Sequence, residues 1–396
     1  MRRRTSLQRG FTLVELMVGA AVSLALIALA LGASVQLQQR SAQEQQTMLA
    51  QANGRALKEF LVSELLRVGA GMGNATMVFS QGDTRQGLTV WTAPDLSVGR
   101  PPLLAADPGF KLPPASGPYA GMASDALQLW WGDSRGLIEL DDCPGGKAYR
   151  VREGGAERFC TAPSPPTELQ PVAGQTTPAF LVNASQALAC HVELRQVQAG
   201  AREVSAFAGT GTLRTQTGPC VDAQDAVWER TGWLLMRAQG SAYRVNWASG
   251  DPVLEYLAPG ATTWTPVSRD VERLKVRQGL IDLSQPQLPL RWFPDAAAGR
   301  PGLDACTRGQ APCAVDAGPA DAPEAAPTSD AELLRLLQER VRSVEVTLVV
   351  RSPRRDQASV QAGETDEDGF PRDGYRRRTL TFRVSLRNPA IAGRVP

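Results

Sequence analysis

A single carboxylate, Glu15, interrupts an otherwise apolar stretch near the start of the chain. From Phe11 to Val35 the chain has 25 residues, and Glu15 is the one charge among them. As a helix this stretch is roughly 37 Å long, at about 1.5 Å per residue, which is enough to cross the hydrocarbon core of a bilayer. A carboxylate near the middle of a membrane costs about 2.5 to 3.5 kcal/mol. Its position therefore predicts an ion pair with an amine.

The residues around Gly10 indicate where such an amine comes from. Four arginines precede Gly10, and the chain then reads Phe11-Thr-Leu-Val-Glu15. This segment resembles the N-terminus of type IV prepilins. The resemblance implies that a prepilin peptidase in the membrane cuts between Gly10 and Phe11 and methylates the new amine of Phe11. It also implies that Glu15 pairs with the N-terminus of a neighbouring subunit during assembly.

Two other interpretations of the N-terminus compete with this one. A secretory signal also has a basic start and an apolar stretch, and Ala28-Leu29-Ala30 could serve as its cleavage site, but its apolar region should be shorter and free of glutamate. A plain single-pass anchor explains the length, but neither the glycine boundary nor Glu15. The heavier positive charge before the stretch predicts a cytoplasmic N-terminus and an exported body.

Six cysteines are the second set of residues that could do chemistry. They form an even number in an exported chain, and none lies in a C-x-x-C pair, so disulfides are expected rather than zinc or thioredoxin-type chemistry. Fifteen full pairings are possible. Proximity in the sequence favours one of these pairings, because short loops cost less entropy to close. These pairs are Cys143 with Cys160, Cys190 with Cys220, and Cys306 with Cys313.

The sequence offers few residues for catalysis or metal binding. His191 is the only histidine, so the chain cannot form a metal site from several histidines. A catalytic Ser-His-Asp triad would have to use this one residue, and a structural role for His191 is the favoured interpretation. No enzyme activity, cofactor or metal is therefore expected. One loop is crowded with acidic residues but matches only part of a calcium-binding loop, because Tyr375 stands where a bidentate glutamate is needed. These acidic residues are Glu364, Asp366, Glu367, Asp368 and Asp373.

Charge and composition exclude some partners. Removing the four leader arginines from the 42 basic residues leaves 38 against 40 acidic ones, so there is no reason to expect a nucleic-acid surface. Two arginine groups flank the acidic loop, at 351–355 and 376–378, and local ion pairing explains them better than DNA binding. With 43% apolar residues the chain can bury a core.

The apolar stretch must be carried by a long helix. The helical pattern continues without proline to Val68, and residues from Leu57 to Val68 place apolar side chains three and four apart, on one face that can pack on a head. Gly69, Gly71 and Gly73 then end the helix. The prediction is a helix from Phe11 to about Val68, apolar all round in its first half and amphipathic in its second.

The sequence after Gly73 predicts a β-rich head. Between Ala75 and Asp270 short strands are expected at 126–131, 232–237 and 243–247, among turns dense in glycine and proline, and 101–118 is expected to be an irregular loop. A loop at 294–328 is expected to be closed by Cys306 and Cys313. A short helix should begin at Ser329, capped reciprocally by Glu332. Alternating residues after it predict an antiparallel hairpin of two strands, 344–350 and 380–386.

Three segments resemble a narrower group, the PilW-like minor pilins. They are Asn53-Gly54-Arg55 with Leu66-Arg67-Val68-Gly69, the strand beginning at Val271, and the ending from Tyr375 to Asn388. The resemblance implies a non-enzymatic subunit for pilus assembly or priming, found in the bacterial inner membrane with a periplasmic head and then in the pilus. Its implied partners are prepilin peptidase, other minor and major pilins, and the inner-membrane assembly machinery.

The expected fold is α+β: a transmembrane and amphipathic stalk helix followed by a large antiparallel β-rich head with disulfides. The divisions are a leader at 1–10, the helix at 11–70 with the membrane span at 11–35, the first part of the head at 71–270, and its C-terminal part at 271–396. The sequence leaves two alternatives open. One is a minor pseudopilin of type II secretion, which shares the N-terminal segment, and the other is an adhesin displayed on a pilin stalk.

Overall fold

The computed structural model describes most of the chain after the first eleven residues. The described residues are 12–73, 75–79, 84–100, 104–143, 150–153, 156–207, 220, 232–285, 287, 289–315, 325–361, 363–366 and 368–386.

One helix, α1, runs from Leu13 to Leu65. Thr12 caps the N-terminus of α1. The 53 residues of the helix contain no proline and no two adjacent glycines. Turns continue to Gly73, and Gly69 adopts a left-handed conformation with φ of 69°, which a glycine tolerates without a Cβ clash. The helix thus ends three residues before the predicted Val68, which lies in these turns. The predicted first residue, Phe11, lies outside the described residues.

Twelve strands within the described residues form the first sheet. Their bounds are β1 Thr76–Val78, β2 Thr84–Arg85, β3 Leu88–Trp91, β4 Ala126–Glu139, β5 Arg150–Glu153, β6 Ala156–Cys160, β7 Thr177–Asn183, β8 Leu188–Gln198, β9 Glu203–Phe207, β10 Trp233–Asn246, β11 Val253–Leu257 and β12 Thr265–Ser268.

The long strand β10 organises this sheet. Along one edge it pairs with β4, and along the other it pairs first with β7 and then with β11. The order is β12-β11-β10-β7-β8-β9-β6-β5, with β3 added on β4, and β1 and β2 added on β8. Every pairing is antiparallel except that of β1 with β8, which is parallel. The two short strands predicted at 232–237 and 243–247 are therefore one strand of 14 residues.

Four further strands form a second sheet in the order β14-β13-β15-β16. Their bounds are β13 Val271–Ile281, β14 Leu290–Phe293, β15 Val341–Arg351 and β16 Arg377–Ser385. The hairpin of β15 and β16 agrees with the prediction, and Val344, Val346, Leu348 and Val350 are buried along β15. All strands of the first sheet precede residue 270, and all strands of the second follow it.

A short helix, α2, spans Asp330–Glu339 between the loop and β15. Ser329 Oγ accepts a hydrogen bond from the Glu332 N–H, as predicted. The reciprocal half of the cap is wrong, because Glu332 Oε2 instead accepts from the backbone and hydroxyl of Thr328.

The helix and both sheets share one apolar core. Leu57, Leu61, Leu65 and Val68 are buried in it together with side chains of β3, β4, β10, β13, β15 and β16. The fold is α+β, a long apolar N-terminal helix followed by a large β-rich head with three disulfides. Smaller clusters fill the remainder of the first sheet.

Candidate assembly site on the N-terminal helix

Glu15 lies in the first turn of α1 and closes a reciprocal cap with Thr12. The Glu15 N–H donates to Thr12 Oγ1 at 3.3 Å. In return, Glu15 Oε2 accepts from the Thr12 backbone N–H at 3.0 Å and from its hydroxyl at 3.1 Å. The second carboxylate oxygen, Oε1, accepts no hydrogen bond from the described residues. The carboxylate is thus oriented by Thr12 and keeps one oxygen free for a donor from outside the chain.

The helix around Glu15 has no cover from the described part of the head. Every large apolar side chain from Leu13 to Val35 is at least 52% exposed. By length and composition this part of α1 can cross a membrane. An apolar surface of this length is stable only in a membrane or against other apolar chains.

The second half of α1 is fixed to the second sheet. Asn53 Nδ2 donates a 2.9 Å hydrogen bond to Asp270 Oδ2, which lies between β12 and β13. One residue on, Gly54 faces Leu380 of β16, and a Cβ at Gly54 would lie 2.0 Å from Leu380 Cδ1. The Asn-Gly pair, identified in the sequence only by resemblance, therefore has a contact and a close approach that explain both residue types.

The next turns of α1 are fixed to the first sheet. Phe60 makes edge-on contacts with Tyr243 and Tyr256, at ring distances of 5.9 and 5.5 Å. The buried Glu64 accepts hydrogen bonds from Tyr256 and Ser241. Burial first, and the Glu64 carboxylate second, raise the pKa of the Tyr256 phenol to about 12. Charge and aromatic packing thus hold the helix against β10 and β11.

Two residues just before β4 join the sheets to each other. Asp125 Oδ2 accepts from the Val276 N–H at 2.9 Å, and its Oδ1 accepts from Lys275 Nζ at 2.9 Å. Ser124 Oγ accepts from the Leu274 N–H at 3.1 Å. These side chains satisfy backbone groups at the edge of β13 that β14 does not reach.

A buried ion-pair cluster anchors the loop between β15 and β16. Arg377 donates to both oxygens of Glu272 and to both oxygens of Asp373. Burial raises the pKa of Glu272, and this effect exceeds the opposing attraction of Arg377. Burial also acts to raise the pKa of Asp373, but donors from Arg377 and Tyr119 together outweigh it and hold that pKa below its usual range. The local ion pairing predicted for this loop is present at Arg377.

The acidic residues of the same loop stabilise turns within the loop itself. Asp366 Oδ1 accepts from the backbone N–H groups of Asp368 and Phe370. Within the described part of the chain, no three His, Cys, Asp or Glu side chains converge on a point where a metal could sit. Glu367 lies outside the described residues.

The loop also reaches α1, where Gln43 Nε2 donates to Asp356 Oδ2 at 3.2 Å.

The six cysteines form the three pairs that sequence proximity favours. Cys143 is bonded to Cys160 at the end of β6, Cys190 of β8 is bonded to Cys220, and Cys306 closes a loop with Cys313. All six are buried.

His191 occupies an aromatic cluster in the first sheet. Its ring lies 5.0 Å from that of Phe79 and 5.7 Å from that of Phe180, with Trp130 alongside. Burial lowers the pKa of His191 to about 4. The ring is neutral at ordinary pH, and its place is in the packing of the head.

Sequence reasoning missed Thr12 as the residue that orients Glu15, although a threonine three residues before a glutamate is itself a sequence signal for this cap. It also missed Ser124 and Asp125, for which no sequence signal exists. Gly10 and Phe11, the predicted processing residues, lie outside the described residues.

Comparison with known families supports the interpretation of the N-terminus. Residues 5–33 match the family model of the prokaryotic N-terminal methylation motif. This match supports a type IV prepilin-like protein, a class that includes pilins and pseudopilins, and it implies processing by prepilin peptidase and association with other pilins. No curated protein and no solved structure matches the chain.

Proposed function

We propose that the protein is a minor pilin of the PilW-like kind, a non-enzymatic subunit that helps to assemble or prime a type IV pilus. The observation that carries this proposal is the continuity of α1. The helix that bears Glu15 and the described part of the methylation motif is also part of the core of the head, from Leu57 to Leu65. Such a subunit is built to be held by its stalk and to present a large folded head.

The proposed processing follows from the motif. Prepilin peptidase cuts between Gly10 and Phe11 and methylates the amine of Phe11, and the head then stands on the periplasmic side. Glu15, held by Thr12 with Oε1 free, accepts the amine of a neighbouring subunit. Mass spectrometry of the mature N-terminus tests the first step. N-methylated Phe11 is expected, and an intact Met1 or a cut after Ala30 would contradict it.

The assembly role of Glu15 is tested by Glu15→Ala, with the exposed Glu59→Ala as the matched control on the same helix. Both variants should insert into the membrane. Only Glu15→Ala is expected to lose incorporation into filaments, because Glu59 lies beyond the apolar stretch. Equal incorporation of the two variants would contradict the role of Glu15.

We further propose a place at the filament tip, because a head made of residues 71–396 is bulky to repeat along a thin filament. Gold labelling of intact pili should mark ends rather than the whole length. The two alternatives are separated by a strain that lacks the protein. Loss of pili supports assembly, loss of type II secretion supports a pseudopilin, and loss of attachment with normal pili supports an adhesin.

A further inference from the structure

A polar groove of about 1060 Å³ opens between α1 and the loop that joins β15 to β16. One wall is the side of α1 from Arg40 to Gln51, and the other is formed by loop residues between Ser359 and Arg376 and by the first two residues of β16, Arg377 and Arg378. The groove begins next to the uncovered apolar half of the helix. It is separate from Glu15 and from the contacts at Asn53 and Gly54.

The groove carries excess positive charge. Five arginines line it, against the two carboxylates of Glu44 and Asp366. Arg377 is neutralised by its buried partners, and Arg372 lies 3.9 Å from Glu364.

Three arginines then remain in the lining, against the two carboxylates of Glu44 and Asp366. Arg40, Arg376 and Arg378 are exposed and make no ion pair with any described residue. A guanidinium without a carboxylate is suited to bind a phosphate group through two parallel N–H donors.

The position of the groove relative to the membrane selects the source of that phosphate. Arg40 follows the last residue of the apolar stretch, Val35, by five residues, or about 7.5 Å of helix. The loop contacts the helix at Gln43, about 12 Å beyond Val35. The polar headgroup layer is about 5 to 7 Å thick on each side of a bilayer. The near end of the groove therefore meets the layer that contains lipid phosphates, and arginine side chains are long enough to span the remaining distance.

We propose that this groove binds the phosphate headgroup of an anionic phospholipid while the subunit stands in the membrane. The inference rests on the membrane anchoring in the proposed function. Arg40 binds from the stalk, and Arg376 and Arg378 bind from the head, so one lipid holds the head against the stalk at a fixed orientation. The contact is lost when the subunit leaves the bilayer for a filament.

The test uses the full-length protein in neutral detergent micelles. Native mass spectrometry measures the retention of short-chain phosphatidylglycerol and short-chain phosphatidylcholine, each with and without inorganic phosphate as competitor. The native protein should retain phosphatidylglycerol selectively. A variant with Arg40→Gln, Arg376→Gln and Arg378→Gln should lose about fivefold in apparent affinity for each arginine removed, since one basic residue near an anionic lipid surface contributes about 1 kcal/mol.

A matched control removes the same charge from exposed positions outside the groove, with Arg202→Gln, Arg269→Gln and Arg308→Gln. The control should retain phosphatidylglycerol like the native protein, and thermal unfolding checks that both variants fold.

Three results would overturn the proposal. The first is equal phosphatidylglycerol retention by the groove variant and the native protein. The second is displacement of the lipid by inorganic phosphate at similar concentration, which would assign the site to a free anion. The third is the absence of lipid selectivity together with loss of filament incorporation in the groove variant, which would assign the groove to a protein partner. Flotation of the protein with vesicles measures membrane anchoring separately. Loss of lipid binding in the groove is thus distinguished from loss of membrane insertion.

Discussion

Asn53 Nδ2 and Asp270 Oδ2 lie 2.9 Å apart, and this hydrogen bond ties the stalk helix to the point where the chain passes from the first sheet to the second. The Asp270 carbonyl also accepts from the N–H of Arg351, at the end of β15. The helix, the connection between the sheets and the loop hairpin therefore meet at one residue.

The first prediction concerns this bond. Asn53→Ala and Asp270→Ala should each cost about 1 kcal/mol of the free energy of unfolding, as typical for one lost hydrogen bond. The double variant should show a coupling of about 0.5 to 1.5 kcal/mol, because both changes remove the same interaction. Urea unfolding measures the cycle. Asn53→Ala combined with the remote Asp133→Ala should be additive, and additivity in the Asn53/Asp270 cycle would show that the bond contributes nothing.

The second prediction concerns the close approach at Gly54. Gly54→Leu should destabilise the head by about 1 to 3 kcal/mol, since the added side chain must displace Leu380, which packs against the apolar core. Gly32→Leu is the control, because it is the same change in the same helix with nothing within 4 Å of the new Cβ. Urea unfolding of the two variants should separate them, and equal midpoints would contradict the tight packing at Gly54.

The third prediction compares two arginines that both bind carboxylates. Arg377 is 3% exposed and its partner Glu272 is fully buried, so Arg377→Ala leaves the buried Glu272 carboxylate with only the more distant Arg351, at 3.8 Å, and should cost about 3 to 5 kcal/mol. Arg383 binds Glu345 at a similar distance, 2.7 Å, but is 64% exposed, and Arg383→Ala should cost less than about 1 kcal/mol. Thermal or urea unfolding measures both. A similar loss in the two variants would mean that burial does not govern these pairs.

The fourth prediction is a pH dependence set by His191. Its pKa is about 4 in the folded protein and near 6.5 when unfolded, so the unfolded chain takes up a proton first on acidification. Stability is therefore fully present above pH 6.5 and falls as the pH drops towards 4, by about 3 kcal/mol at most.

Since the chain has only one histidine, His191→Phe isolates this effect. The difference between the native and variant stability curves should be flat above pH 6.5 and slope below it. Glu193, whose Oε1 lies 3.6 Å from His191 Nε2 and whose pKa burial raises, contributes a slope of the opposite sign in both proteins. A flat difference across the whole range would show that the ring is not held neutral.

The sequence predicts the parts of this fold whose signals are local. The stalk helix follows from periodicity and the absence of proline, its buried face from the spacing of Leu57, Leu61 and Leu65, and the β15–β16 hairpin from alternation. Short loops also suffice to predict the three disulfides. The sequence predicts β10 as two strands because Ala238, Gly240 and Ser241 in its middle lack strand propensity, and only pairing with strands on either side keeps it extended.

The contacts that fix the stalk could not be predicted in the same way. Asn53 and Asp270 are 217 residues apart in the sequence, and Asp125 and Val276 are 151 apart. Nothing in a single sequence identifies which polar residue reaches which strand edge. The groove likewise depends on Arg40 lying opposite a loop more than 300 residues later.

The continuity of α1 with the core also decides how the molecule carries mechanical load. The head packs along the side of the helix, from Gln43 through Asn53 and Gly54 to Leu65, the last residue of α1, and not at that end alone. A pull on the stalk along its axis therefore acts on these attachments together, in shear, rather than opening them one after another. The length of helix that is packed against the head therefore sets the force that this contact can withstand before the helix separates from the sheets.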